Sequence, residues 1–525
     1  MNRHIYIIGG VLLVMLSHFF MSCNDDKYSV DPAYRLSFST DTVSFDTVFT
    51  TIGSATFHLK VYNRNDKGVN VNSVRLASGG SSGFMINVPD GYGDASAIEI
   101  PKNDSLYIFI EVKVDPQNRD NPILIKDSLI FQLASGVQQD VKLLAYGQDI
   151  LIMKGKVIDK DTTLTAYRPI LVYDSLRVNE GMKLTMEAGT RLYFHNKINC
   201  LVYGSVIANG TKENPVVLRG DRLDKMKELD LPYDRVSGQW GGVRFFEQSY
   251  DNYLNYVDIH GGQYGIQCDS SDVERTKLVL ENSVVHNVKG NALDLISSKA
   301  LVGNSQITNA GGYCVSVLGG EVEFIHCTIA NFYSWDIRKG TAVFLGNSEH
   351  MPLTNAMFRN CLITGSMSDE MSGGRTKDES IPFNYEFSCS LVNTKLDEKS
   401  PGYQEELSYY PNTIWDEKED DKGKSLAKDK NFLYIGKEDF DYDFRIDSLS
   451  AAVNLGAPEY AKQYPLDRNG RDRAACVIQL ACEREQPAHD DDVQDNHDDA
   501  EHNPAAPVHH TERAQHDIPY DQRGG

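Results

Sequence analysis

Asn282-Ser283-Val284-Val285-His286-Asn287, Asn304-Ser305-Gln306-Ile307-Thr308-Asn309, His326-Cys327-Thr328-Ile329-Ala330-Asn331 and Asn360-Cys361-Leu362-Ile363-Thr364-Gly365 are four copies of one short pattern. A weaker copy, Tyr256-Val257-Asp258-Ile259-His260-Gly261, precedes them, and Ser388-Cys389-Ser390-Leu391-Val392-Asn393 follows. The aliphatic column Ile259, Val285, Ile307, Ile329, Ile363, Leu391 advances in steps of 26, 22, 22, 34 and 28 residues. A period near 22 with occasional insertions is the signature of stacked coils. Three further columns keep the same phase. They are Leu254, Leu280, Val302, Phe324, Phe358; then Ile266, Leu293, Val315, Val343; and then Cys268, Leu295, Val317, Leu345. Between the last two lie Gln267, Asp294, Ser316 and Phe344, which a two-residue strand period turns outward.

Working outward from this stretch, Glu187–Phe194 (EAGTRLYF), Gly204–Leu218 (GSVIANGTKENPVVL) and Trp240–Phe245 (WGGVRF) resemble the entry coils of right-handed parallel β-helix proteins of the pectate-lyase-like superfold. The resemblance covers about residues 155–475, within an expected solenoid domain of residues 151–475. It implies a solenoid whose inward columns are the core and whose outward residues and corner loops are left for function. Some members of that superfold are polysaccharide lyases or glycoside hydrolases, with their chemistry on the outer surface of one sheet. A hydrolase needs two or three carboxylates converging on a glycosidic bond. The outward row supplies one, Asp294, and no base. Asp258 with His260, and the aromatic groups Tyr264, Tyr333 and Trp335, are the other residues to weigh, against packing as the simpler account. No metal-ligand spacing, nucleotide loop or hydrolase elbow occurs, so neither metal nor cofactor is expected.

The repeat accounts for its own polar residues. Asn287, Asn309, Asn331 and Asn393, with Gly261 and Gly365, are expected at a corner, because Asn and Gly accept left-handed backbone. Cys327, Cys361 and Cys389 share a position with Ser283 and Ser305 and read as small stacked core residues, with a disulfide or metal site as the alternative. Two longer segments, near His350 and from Ser366 to Tyr385 around Gly373, are expected as corner insertions.

Upstream, residues 35–150 alternate with period two, as in Phe57, Leu59, Val61 and in Leu106, Ile108, Ile110, Val112, and are broken by glycine-rich turns. Several short strands of this kind predict an immunoglobulin-like β-sandwich. Phe45–Phe49 and Val114-Asp115-Pro116 give it a likeness to ASH/PapD-like domains, which implies a spacer or adhesion module. The expected fold class is therefore all-β, an N-terminal sandwich followed by a parallel β-helix.

Arg3 and His4 precede the apolar run Ile5–Met15, and Ser22-Cys23 follows, similar to a lipobox. Residues 1–22 then read as a lipoprotein signal peptide and Cys23 as the lipidated residue. Residues 23–34 read as a tether, with Asn24-Asp25-Asp26-Lys27 similar to an acidic surface-export signal. The implied partner is the outer membrane, through the lipid anchor, with extracellular glycan or a cell-surface protein as the ligand. The net charge of −22 argues against nucleic acid. Asp441–Gly456 and Asp467–Arg473 resemble the closing segment of secreted β-helix proteins. Residues 476–525 depart from it as an acidic, His-rich tail without apolar period, as a frame shift near Arg473 would produce. The functional expectation is a noncatalytic surface, adhesion or glycan-binding protein. A carbohydrate-active enzyme is the alternative.

Overall fold

The computed structural model describes residues 28–89, 91–226, 229–394, 396–416 and 431–473. Cys23 and the tail from 476 lie outside them. The chain is all-β. Its first part is a two-sheet sandwich. In one sheet Tyr28–Ser29, Gly68–Leu76, Ile123–Leu133, Gln138–Gln148 and Thr42–Phe49 lie side by side, with Ala95–Ile100 on the edge of Gly68–Leu76. Ser37–Phe38, Phe57–Tyr62, Ser105–Val112, Phe84–Val88 and Gly91–Tyr92 form the other. The alternation read from sequence is the burial pattern: Leu59, Val61, Ile108, Ile110 and Val112 face one core with Val43, Leu129, Val141 and Leu143. Tyr28–Ser29 falls in the stretch expected as a tether, yet it already pairs with Gly68 and Val69.

From Leu151 the chain becomes a parallel β-solenoid. Twenty-five strands among the described residues belong to one ladder, in which each strand pairs with its counterpart one coil later. Three faces result. The first carries Asn252–Asn255 and Thr276–Glu281 and runs on to Leu353–Arg359 and Phe383–Ser388. The second carries Val216–Gly220, Val257–His260, Val284–Val288, Gln306–Ala310, Thr328–Asn331 and Leu362–Gly365. The third carries Asn199–Val202, Gly242–Phe245 and Ile266–Cys268, then the first halves of Leu293–Gly303 and Val315–Ile325, then Val343–Gly346.

The inward columns are in the register expected from sequence. Leu254 stacks on Leu280, Val302, Phe324 and Phe358, and all are buried. At the C-terminal end this column turns aromatic. Phe324 and Phe358 stack at 4.6 Å and 3°, Phe358 and Phe387 at 4.5 Å, and Phe387 and Tyr410 at 5.2 Å. These distances follow the strand spacing of about 4.8 Å, so flat rings in neighbouring coils meet face to face without moving the backbone.

Four expectations need correction. Val392, not Leu391, pairs with Ile363, so the last repeat lies one residue later than its sequence pattern suggests. Such a slip exchanges the faces: Ser390 takes the buried serine/cysteine position and donates its hydroxyl to the Ser388 carbonyl at 2.9 Å, while Cys389 sits at the corner with φ 48°. Secondly, the more regular left-handed corner is the first residue of the pattern: Tyr256, Asn282, Asn304, His326, Asn360 and Cys389 all have φ between 48° and 54°. Asn304 donates to Asn282 at 2.6 Å and Asn282 to Asn255 at 2.8 Å, a side-chain ladder. At the corner expected from sequence, Asn287, Asn309 and Gly261 are left-handed. Asn331 is not; its Oδ1 accepts from the Ala310 backbone instead.

Thirdly, the segment around Gly373 is no pure insertion, for Met371–Gly374 pairs with Val343–Gly346 as a regular strand. Fourthly, residues 431–473 do not close the last coil. The helix Tyr403–Ser408 and Tyr409–Tyr410 cap it, with the Phe387 amide donating to the Tyr409 carbonyl at 2.8 Å. The hairpin Phe432–Gly436/Asp441–Ile446 packs instead on the outer side of the second face, where Phe432, Phe444 and Tyr442 cover Phe332, Leu362 and Leu391. The chain then runs back along the corner ladder, with Asn360 donating to the Ala457 carbonyl, Asn304 to Leu466 and Arg473 to Asn304. The six described cysteines are unpaired thiols.

Phe358 is fully buried between two stacked rings. Phe358→Ala should cost about 3–5 kcal/mol, as large-to-small changes of aromatic core residues do, measured by urea unfolding. A loss below about 1 kcal/mol would contradict the stack.

Candidate functional site

The outer row of the third face is in the expected register: Gln267 pairs with Asp294, Asp294 with Ser316 and Ser316 with Phe344. It extends beyond the expected residues to Arg244 and Leu201 below and Ser372 above. Burial pushes the Asp294 carboxyl up, while hydrogen bonds from Ser316 and Asn291 pull the other way. Gln267 donates to Asp269 at 3.1 Å, and Arg244 holds the same carboxylate through Nε and Nη2 at 3.0–3.1 Å. Phe344 leans on Tyr313 with ring centres 5.0 Å apart.

Beside this row opens a cleft of about 460 Å³, lined by Tyr203, Phe246, Glu247, Gln248, Asp269 and Ser270. Tyr203 and Phe246 stack at 4.0 Å and 9° because their strands are neighbours in the ladder. Arg177 lies over the Tyr203 ring and Arg244 over that of Phe246. The ring faces are thus filled, and their edges meet the cleft. Trp335 belongs elsewhere. It stacks on Phe440 at 3.8 Å and donates its indole N–H to the Arg235 carbonyl at 2.8 Å. Tyr333 is buried and bonded to Ser237, and Tyr264 donates to Asn199.

The second face carries a cluster that the sequence showed only in part. Asp258 and His260 are two apart on Val257–His260, so both point outward, and His286 is in register with His260 one coil later. His260 Nδ1 lies 2.7 Å from Asp258 Oδ1, and His286 Nε2 lies 3.1 Å from the same oxygen. His260 Nε2 lies 2.8 Å from Oδ1 of Asp234. That residue comes from the 221–239 excursion between the strands Val216–Gly220 and Gly242–Phe245, and Arg219 pairs with it at 2.5 Å. The two imidazole rings are 4.8 Å apart and both are buried.

Burial alone would lower the His260 pKa, but the Asp258 and Asp234 carboxylates outweigh it and hold it at about 9. Burial opposes ionisation of Asp258 too, yet His260 and His286 hold it well below the usual carboxylate range. Arg219 and His260 do the same for Asp234. With a carboxylate on each nitrogen, His260 is a fixed cation rather than a free base.

No family model matches the chain, and no curated protein matches it. Among 31 solved chains with a likeness is a family 123 glycoside hydrolase from Clostridium perfringens that hydrolyses glycolipid glycan, at 10% identity and TM-score 0.16, with 22% of this chain and 30% of that one covered. A protein of unknown function from Porphyromonas gingivalis W83 shows 14% identity and TM-score 0.17, over 24% and 60%. The seventh PapD-like domain of human CEP192 shows 11% identity and TM-score 0.16, over 23% and 87%. The chain thus spans under two thirds of the first two. With TM-scores this low, none of the three bears on fold or activity.

In chelator-treated protein, the stabilisation from His260 is complete below about pH 6.5 and is lost as pH rises through about 9, since folding raises this pKa from 6.5. The urea midpoint should therefore fall between about pH 7 and pH 10, and His260→Gln should flatten that fall. A ring titration near 6.5 by NMR would contradict the carboxylate clamp.

Proposed function

We propose that the protein is a lipid-anchored cell-envelope protein whose solenoid binds extracellular glycan on its third face. The observation that supports this most is the cleft beside the outer row. The edges of Tyr203 and Phe246 form an apolar wall beside hydroxyl, amide and carboxylate groups at Ser270, Gln248, Glu247 and Asp269, and that pairing of apolar wall and hydrogen-bonding groups suits a hydroxyl-rich ligand. The row from Arg244 through Gln267, Asp294 and Ser316 continues it across four coils, enough for an extended chain. The N-terminal sandwich, in this reading an immunoglobulin-like spacer, carries the solenoid away from a membrane in which Cys23 is acylated. The likeness of Ser22-Cys23 to a lipobox supports the anchor, and the acidic Asp25-Asp26 supports the outer face of the outer membrane.

A second reading, a carbohydrate-active enzyme, draws support from Asp294. A carboxyl raised by burial beside a second carboxylate, Asp269, is the setting a glycosidic general acid needs. It is the weaker reading because Asp269 is engaged by Arg244.

On a panel of neutral and acidic glycans, Tyr203→Ala and Gln267→Ala should each weaken binding at least about tenfold, or about 1.4 kcal/mol, without turnover. Binding indifferent to both would overturn the cleft. Turnover lost in Asp294→Asn would install the enzyme reading. Labelled palmitate should enter the wild type and not Cys23→Ala; labelling kept in the variant would refute the anchor, and protease shaving of intact cells reports the exposed face.

A further inference from the structure

We propose that Asp258, His260 and His286 form a binding site for a divalent transition-metal ion of the zinc type, on a different face from the glycan cleft and independent of it. Two observations point to it. One carboxylate oxygen and two imidazole nitrogens, one from each of the three residues, lie within 4.8 Å of one another. Tetrahedral ligands at zinc bond lengths of about 2.0–2.1 Å are about 3.3 Å apart. The 2.7 Å and 3.1 Å between Asp258 Oδ1 and the two nitrogens would open by about 0.6 and 0.2 Å, and the two nitrogens, within 4.8 Å of one another, would close toward the same spacing by side-chain rotation on strands that the ladder holds in place.

The outer shell of such a site is already built. A metal-bound imidazole usually gives its other N–H to a carboxylate, which fixes ring and tautomer. Asp234 takes that place at His260 Nε2, and Arg219 holds Asp234. The ligands are placed like those of an open site rather than a closed one. Both histidines are buried, but the Asp258 side chain keeps 19% of its exposure, so a fourth position faces outward.

Two imidazoles and one carboxylate without thiolate suit zinc, cobalt, nickel or iron(II) rather than calcium or magnesium.

The full-length chain is stripped with chelator and titrated with Zn²⁺ by calorimetry and with Co²⁺ by visible absorption. The wild type should bind one ion at this site and give cobalt ligand-field bands. His286→Ala and Asp258→Asn should each lose that ion and those bands. Asp234→Asn, at a half-exposed side chain, should keep the stoichiometry and weaken affinity about 10–100-fold. Melts in chelator confirm that each variant is folded; if the first two are not, the loss of affinity in Asp234→Asn decides. No cobalt bands in the wild type, or the same ion bound with the same affinity in the variants, would overturn the site and place any uptake elsewhere, for example on the histidines of residues 476–525.

Discussion

Everything in the second part of the chain depends on one constraint: each coil is hydrogen-bonded to the next as a parallel strand in fixed register. Parallel pairing spaces equivalent residues by about 4.8 Å. A residue type that packs well in one coil therefore meets its own kind in the next. The ladder makes aliphatic columns inside, flat aromatic stacks at Phe324, Phe358 and Phe387, and amide-to-amide contacts at Asn255, Asn282 and Asn304. It also decides what the outside can do. Three groups on two strands, Asp258, His260 and His286, become one cluster only because His260 and His286 are opposite each other.

The same constraint explains how the two outer faces differ. On the third face the middle of the outward row is polar, with Arg244 paired to Asp269 and Ser316 hydrogen-bonded to Asp294. On the second face the upper coils present Ala330, Leu362 and Leu391, an apolar strip that the C-terminal hairpin covers. The lower coils present Arg219, Asp258, His260 and His286, with Asp234 brought beside them by the 221–239 excursion. The segment after residue 431 therefore acts as a strap along the solenoid. Loss of the strap would expose Phe332, Leu362 and Leu391 to water.

Much of this was legible in the sequence because an inward column is a repeated residue type at a repeated spacing. Four inward columns and the outward row Gln267, Asp294, Ser316, Phe344 come directly from it. The last repeat was not legible: Ser388-Cys389-Ser390-Leu391-Val392 has three small residues and then two aliphatic ones in a row, so two registers fit equally, and only the backbone ladder chooses Val392. The histidine cluster was half legible. Asp258 and His260 stand out as an alternating pair, and His286 occupies the same place as His260 in the next copy. Asp234 and Arg219 could not be found that way, because they come from an excursion and a coil without the pattern. Trp335, which the sequence offers as a stacking ring against packing as the simpler account, packs: its ring face belongs to Phe440. The corner asparagines divided in two because left-handed backbone is required at the first residue of the pattern, where Asn, His, Cys and Tyr all adopt it.

The register itself is the most direct thing to measure. Ser316→Cys with Phe344→Cys places two thiols on the same outward position of adjacent coils, across 28 residues of sequence. A short bifunctional thiol reagent should join them within one chain, as read by peptide mass spectrometry. Ser316→Cys with Leu345→Cys, where the second side chain turns inward, should not join. Cross-linking of the second pair in place of the first would contradict the coil register on which both outer faces depend.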